Sequence, residues 1–473
     1  MKRFRLPLLA IGSAAVAIAS TDAARPRYGG TLRLQEAGVL RSLDPAADTA
    51  DGDERSARAH LLPLVFETLV AVDPAGGLRP LVAATWEREA RGNTWRFHVR
   101  PHVMLHDGSV LEPWHIASAL RASHTTWTVT IDGDTVAIDP GQPRADLPWE
   151  LAEARYAIGV RSRSGEWIGS GPFRVDRVEP RRVTLRAHDN YWNGRPFLDA
   201  VQLEMGRSVA EQLTNLELGR ADIVSVRPTD MRRIAQRGLR TAASQPLDLF
   251  VLVFEPHRTR SADDPVRRAI ASSIDRAVLC AALLQRQAEP ATALLPRWLS
   301  GYALRVAGQR PLRSAITAIP LQLRTLTLRI DPSDPLAQSI ADRIAVDARE
   351  LGVVITVQAP AGLAPRPDAR LVRLKLPATT PDRALAAAMA GLGPRLTALA
   401  TSESAPPAGA PIELVYRIER ALVDRDVIVP VVHVSDVYVV ADGVESWNGR
   451  FVQRSGAWDL ANVWLQRGSP AQR

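Results

Sequence analysis

The sequence predicts an α/β protein built in more than one lobe. Strand-forming and helix-forming segments alternate along almost the whole chain. Residues 326–330, the turn Asp331-Pro332-Ser333-Asp334-Pro335, a helical stretch over 336–351 and an apolar run over 353–357 make a β–α–β unit, the building block of a sheet covered by helices. With 473 residues, 46% of them hydrophobic and 23% charged, and no internal repeat, the chain is long enough for a large core or two.

Taken in order, the elements begin with Lys2, Arg3 and Arg5 ahead of an apolar run over residues 6–19 that ends Ala17-Ile18-Ala19. This is the pattern of a cleaved secretory signal; the run is short for a membrane span and is interrupted by Pro7, Gly12 and Ser13. Tyr28-Gly29-Gly30-Thr31-Leu32-Arg33-Leu34 reads as a strand entered from a glycine turn, with Leu43-Asp44-Pro45 in the loop beyond it. Residues 58–69 have helical apolar spacing through Leu61, Leu62, Val65, Phe66 and Leu69. Residues 94–99 alternate and place Trp95, Phe97 and Val99 on one face of a strand, and Asp132-Gly133-Asp134 turns a hairpin over 127–138. Strand pattern returns over 172–186, and a helix over 210–219 closes on Gly219. Val251-Leu252-Val253-Phe254 is wholly apolar, as in a strand covered on both faces. One long helix is expected over 264–285, with Asp264 or a neighbour capping it and Pro265 in its first turn. Residues 359–367 and 401–411 read as loops, and 428–440 as a strand.

Composition narrows the function classes. The formal charge is +8, falling to +5 if Lys2, Arg3 and Arg5 leave with residues 1–19, and the arginines are scattered without interleaved aromatics, so no nucleic-acid partner is expected. Cys280 is the single cysteine; it excludes an internal disulfide, leaves no lipidation site behind the leader, and reads as a buried thiol in an apolar stretch. Gly169-Ser170-Gly171 lacks the G-x-S-x-G spacing of a hydrolase nucleophile, and no glycine-rich phosphate loop stands at a strand-to-helix turn. His98, His102 and His106 are four apart, but Pro101 breaks the helix that would align them on a metal, and His433 within a strand reads as a core residue. Neither catalytic residues nor a cofactor is expected.

Several motifs share an order and spacing: Tyr28-Gly29-Gly30-Thr31-Leu32-Arg33, Val65-Phe66-Glu67-Thr68-Leu69, Trp95-Arg96-Phe97-His98-Val99-Arg100, Leu105-His106-Asp107-Gly108, Gly169-Ser170-Gly171-Pro172-Phe173, Asn190-Tyr191-Trp192-Asn193-Gly194, Asp264-Pro265-Val266-Arg267-Arg268-Ala269-Ile270 and Trp458-Asp459-Leu460. Together they resemble the family 5 extracellular solute-binding proteins, the dipeptide, oligopeptide and nickel receptors of ATP-binding cassette importers. The resemblance implies a two-lobed periplasmic binding protein of the large peptide-binding type that closes on its ligand like a flytrap. It divides the chain into a signal peptide over 1–19, lobe I over 20–250 with a reduced subdomain near 120–168, lobe II over 251–436, and a return to lobe I over 437–473. The chain would cross between lobes near 249–254 and again near 434–440. Implied partners are a small peptide or similar polar solute and the membrane permease of the importer, served by a periplasmic monomer without lipid anchor. Other readings are a metal chelate or another small molecule in the same fold, or a sensor or scaffold that has left transport.

Turn and cap chemistry accounts for most signature residues: Gly29, Gly30 and Gly108 suit positive φ, Asp107 a turn, and Asp275 with Arg276 local polar contacts. Ligand contacts are expected from the parts that depart from relatives. The segment over 120–168 is short, with Trp127 facing the cleft, and the lobe II region over 374–382 has no tryptophan or tyrosine, leaving Asp382 as a stand-in carboxylate. Glu255, beyond the crossing strand that contains Phe250, is placed to pair with an ammonium group, and Arg41 or Arg373 to hold a carboxylate. The ligand-binding candidates are therefore Arg41, Trp127, Phe250, Glu255 and Arg373.

Overall fold

The computed structural model describes residues 25–47, 52–73, 77–123, 126–142, 144, 146–162, 164–255, 265–304, 313–332, 334–359, 366–376, 380–447 and 458–466. The leader over 1–19, Asp264, Ser333 and parts of the 359–367 and 374–382 segments lie outside them.

Two long strands organise the molecule. Arg240–Phe254 and Ile428–Val440 run antiparallel at the centre of an eleven-stranded sheet. Towards one end of that pair, Val437–Val440 also pairs Ile223–Val226, which leads outward through Thr31–Gln35, Ala200–Glu204, Arg182–Ala187 and Phe173–Glu179. Towards the other end, Asp248–Phe254 pairs Ala369–Lys375, followed by Thr325–Arg329 and Val354–Gln358. The register between the two long strands shifts around Ala243, Pro246 and Asp248. Pro246 has no N–H to give a ladder, so it is tolerated at such an irregularity. The ladder between the crossing strands is thus irregular from Ala243 to Asp248.

The cores follow the strand alternation. Phe250, Leu252 and Phe254 face the helix Pro335–Glu350, whereas Leu249, Val251 and Val253 face the helices Pro381–Leu392 and Ile412–Val423. The wholly apolar run is therefore explained by burial on both faces. A separate core around Leu32, Leu61, Phe66, Phe173 and Tyr438 fills the other lobe. A third unit is a four-stranded sheet, in the order Ala83–Arg88, Trp95–Val99, Thr135–Asp139, Thr128–Asp132, covered by the helix Pro113–Ser123. The 128–139 hairpin, turned by Gly133 at φ 60°, completes this module together with the earlier Trp95–Val99 strand.

Two sequence expectations change. The helix expected over 264–285 is broken: Pro265–Ser273 ends, Asp275 caps a new turn by accepting from the Val278 N–H at 2.9 Å, and a π-helical turn covers Leu279–Leu283. The helix expected over 58–69 is Gly52–Val65. It stops because the backbone of Gly169 and Gly171 packs against its last turn, with the Gly171 N–H donating to the Val65 carbonyl at 3.0 Å. The β–α–β unit is present, Thr325–Arg329 pairing in parallel with Val354–Gln358. Cys280 is buried.

Candidate functional site

Three of the signature motifs meet at one carboxylate. Glu67, just beyond the Gly52–Val65 helix, is buried and accepts the Ser170 hydroxyl at 2.8 Å, the Tyr191 hydroxyl at 2.9 Å and the Trp192 indole N–H at 3.0 Å. Burial pushes its carboxyl up to about 7 against the lowering effect of those bonds from Trp192, Ser170 and Tyr191. His106 braces the same loop: its Nδ1 accepts from the Gly169 N–H at 3.2 Å and its Nε2 lies 3.1 Å from the Gly171 carbonyl. Burial drives His106 down to about 4, so this imidazole is neutral and Nε2 is the donor. Val65–Leu69, Leu105–Gly108, Gly169–Phe173 and Asn190–Gly194 are therefore one structural knot.

That knot forms a wall of a cavity of about 330 Å³. Its apolar surface comes from residues such as Leu64, Phe66, Val72 and Leu460, and its polar groups include Glu67, Arg79, Glu153 and Asp459. An apolar hollow with a few polar groups at this size lies at the lower end of small-ligand pockets, about 300–1,000 Å³. Every described lining residue lies outside 251–436. One rim, Ala152 to Arg155, reaches the opposite lobe through Glu153, whose Oε1 accepts from Arg383 Nε at 3.2 Å.

A polar seam, buried at its His60 end and partly exposed at its Arg373 end, runs beside the cavity where the lobes join. Trp458 lines the cavity and stacks on His60 at 4.5 Å. His60 Nδ1 pairs with Glu36, and Tyr438 Oη lies 3.3 Å from His60 Nε2. Further along the crossing strands, Lys375 Nζ meets Asp436 Oδ2 at 2.9 Å, while Arg373 donates to Asp248 at 3.0 Å and faces Asp334 at 3.5 Å. Burial acts to raise Asp436, yet Lys375, His60 and Arg373 outweigh it and hold its carboxyl well below the usual range. Burial likewise opposes the charge on Lys375, and Asp436 and Asp248 restore it.

The five candidate residues do not converge. Arg373 and Phe250 share the seam, the guanidinium standing 5.6 Å from the ring centre, with Phe250 itself in the lobe II core. Glu255 is paired with Arg370 at 2.6 Å, and Arg41 with Glu54 at 3.4 Å. Trp127 is buried in the small module, stacked on Tyr156 at 5.3 Å. Asp382 is buried and accepts the Gly409 N–H at 2.8 Å. Among the three spaced histidines, His98 lies 3.0 Å from Thr135 Oγ1 and His102 sits at φ 59°. Among the described residues, no group of three or more His, Cys, Asp or Glu is placed to hold a metal ion. Glu67, His60, Asp436 and Arg383 went unread as site residues. Lys375 did carry a signal, being with Lys2 one of only two lysines in an arginine-rich chain.

Two lobes joined by a pair of crossing strands, with a cavity beside the junction, define a two-lobed binding protein. Residues 77–366 match the model of the bacterial extracellular solute-binding proteins, family 5 middle region, which covers more than half of the chain. The chain belongs to this family. It is 23% identical over 397 residues, 72% of each chain, to the peptide transport periplasmic protein SapA of Salmonella typhimurium. Among solved structures, the ABC transporter substrate-binding protein CtaP of Listeria monocytogenes superposes with a TM-score of 0.75 at 16% identity, covering 93% of this chain and all (100%) of that one. NikA of Brucella suis, solved with Fe(III)-EDTA, superposes with a TM-score of 0.74 at 17% identity, over 92% and 100%. These likenesses show the fold. Among the described residues, no helix is long and apolar enough to cross a membrane.

Proposed function

We propose that this chain is the solute receptor of an ATP-binding cassette importer, exported on a leader cleaved near residue 19 and working as a periplasmic monomer. It captures a small peptide or similarly small polar solute by closure of lobe I (20–250 and 437–473) on lobe II (251–436) and delivers it to a membrane permease. The relation to a protein named for peptide transport supports the solute class. The observation that carries the reading is the cavity rim: Glu153 lines a hollow in lobe I and is also the residue that Arg383 of lobe II grips. Lobe closure would therefore cover whatever the hollow holds.

Native mass spectrometry of protein purified without denaturation, followed by thermal-shift screening, tests this. A retained peptide and a rise in melting temperature with di- and tripeptides support the reading, since a ligand that binds only the folded state stabilises it by mass action. A shift with metal chelates alone would replace the peptide by a chelate. No shift with either class would refute capture and favour a scaffold.

A further inference from the structure

One cation from lobe II balances an acidic cluster on the small module of lobe I. Arg383 stands in the first turn of the helix Pro381–Leu392. Its Nη1 donates to Asp146 Oδ2 at 3.0 Å and lies 3.5 Å from Glu150 Oε2. Its Nε donates to Glu153 Oε1 at 3.2 Å, and Nη2 donates to the same oxygen. These contacts join positions more than 200 residues apart, the Asp146 pair being separated by 237. Only 12% of the Arg383 side chain is exposed, against 5% for Asp146 and 4% for Glu150.

The acceptors are held in place from their own side. Arg144 donates to Glu150 Oε2 at 2.5 Å, Tyr156 Oη to Glu150 Oε1 at 2.7 Å, and Arg155 Nε meets Glu153 Oε2 at 2.9 Å. Tyr156 is itself fixed by stacking on Trp127 in the module core. Three carboxylates thus face two lobe I guanidinium groups, Arg144 and Arg155, which leaves one negative charge that Arg383 neutralises. Separating the lobes would uncouple that balance and leave a half-buried guanidinium on one side and an unmatched carboxylate on the other.

We propose that Arg383 is an interlobe latch that holds the cleft shut in the absence of solute and so sets the population of the closed state. The latch concerns the ligand-free protein and stands whichever solute is bound. Because a ligand that binds the closed form gains apparent affinity in proportion to the closed fraction, loosening the latch at Arg383, which does not line the cavity, weakens capture.

The test is an interlobe distance measured by double electron–electron resonance on ligand-free protein. Spin labels on Ile131→Cys and Val346→Cys use two exposed sites, one in the small module and one in lobe II. Cys280 stays unlabelled, being buried with its thiol pushed up to about 12 by that burial. Wild-type protein should give one short, narrow distance distribution. Arg383→Ala should add a longer distance, with the closed-to-open ratio falling about ten-fold or more. Arg383→Glu should open the cleft further, and combining it with Glu153→Arg should restore the short distance. Asp146→Asn with Glu153→Gln approaches the same contact from the lobe I side and should widen the distribution even if the Arg383 variants fold poorly. A wild-type distribution already dominated by the long distance overturns the latch. So does an unchanged distribution in Arg383→Ala, or in the Asp146→Asn, Glu153→Gln pair.

Discussion

The Glu67 carboxylate accepts the Ser170 hydroxyl at 2.8 Å across 103 positions of sequence. Tyr191 and Trp192 close on the same two oxygens, so motifs that look unrelated along the chain are joined through one buried acid. Glu67→Ala would strand three donors in a buried site. Each unsatisfied group costs about 1–3 kcal/mol, and we expect a total destabilisation of about 3 kcal/mol or more. An unfolding free energy from urea titration within about 1 kcal/mol of wild type would contradict this role.

The same acid makes stability depend on pH. Its folded value of about 7 lies above the ordinary 4.5, so the folded state binds a proton that the unfolded state has released between those values. The stabilisation is complete below about 4.5 and disappears as pH rises through about 7. Glu67→Gln removes this dependence. Its stability relative to wild type should therefore increase from pH 4.5 to pH 8, by an order of 3 kcal/mol at most. His106 and His433, both pushed down to about 4 by burial, act in the opposite sense: their contribution is present at neutral pH and fades between 6.5 and 4. Denaturant titrations of wild type and Glu67→Gln across that range separate the acid from the imidazoles.

Lys375 pairs with Asp436 at 2.9 Å, the two side chains 16% and 19% exposed. Removing only the ammonium, as in Lys375→Met, leaves a part-buried carboxylate without that counter-charge, and a loss of about 2–3 kcal/mol is expected, below the buried-pair range because the site is partly solvated. Lys375→Met combined with Asp436→Leu should recover much of it, because replacing a buried ion pair by apolar groups is often near neutral. A double variant whose loss equals the sum of the losses in Lys375→Met and Asp436→Leu alone would show that the pair is not coupled.

Two glycines distinguish close approach from backbone conformation. A Cβ on Gly169 would stand 2.2 Å from the Val65 carbonyl oxygen, whereas one on Gly133 would meet nothing within 4 Å but is held at φ +60°. Gly169→Ala should cost about 3 kcal/mol through forced displacement of backbone. Gly133→Ala should cost about 1–2 kcal/mol through its left-handed conformation alone. Melting temperatures of the two variants give the order directly.

Local patterns were legible where burial is periodic. The alternation of Trp95, Phe97 and Val99, the Asp132-Gly133-Asp134 hairpin and the apolar 251–254 strand all declare themselves in one dimension. The helix over 264–285 was misread because its apolar spacing continues through Asp275, whose capping bond starts a new turn. The site was less legible because its groups come from distant segments. Arg383 meets Asp146 across 237 positions and Tyr438 meets His60 across 378, and nothing local marks either pair. Trp127 illustrates the converse: a tryptophan in a shortened segment suggests a pocket, yet the side chain builds the module core.

The hollow beside Glu153 is the place to test solute capture. Ala154 lines it, and Ala154→Trp would fill part of its volume of about 330 Å³. The measurement is the melting temperature of wild type and of Ala154→Trp with and without an equimolar mixture of di- and tripeptides. At concentrations near 100 times Kd, the wild-type midpoint should rise by about 3 °C. Ala154→Trp, folded and melting cooperatively without ligand, should show no rise. A rise of equal size in both proteins would place the solute outside the cavity and contradict the proposal.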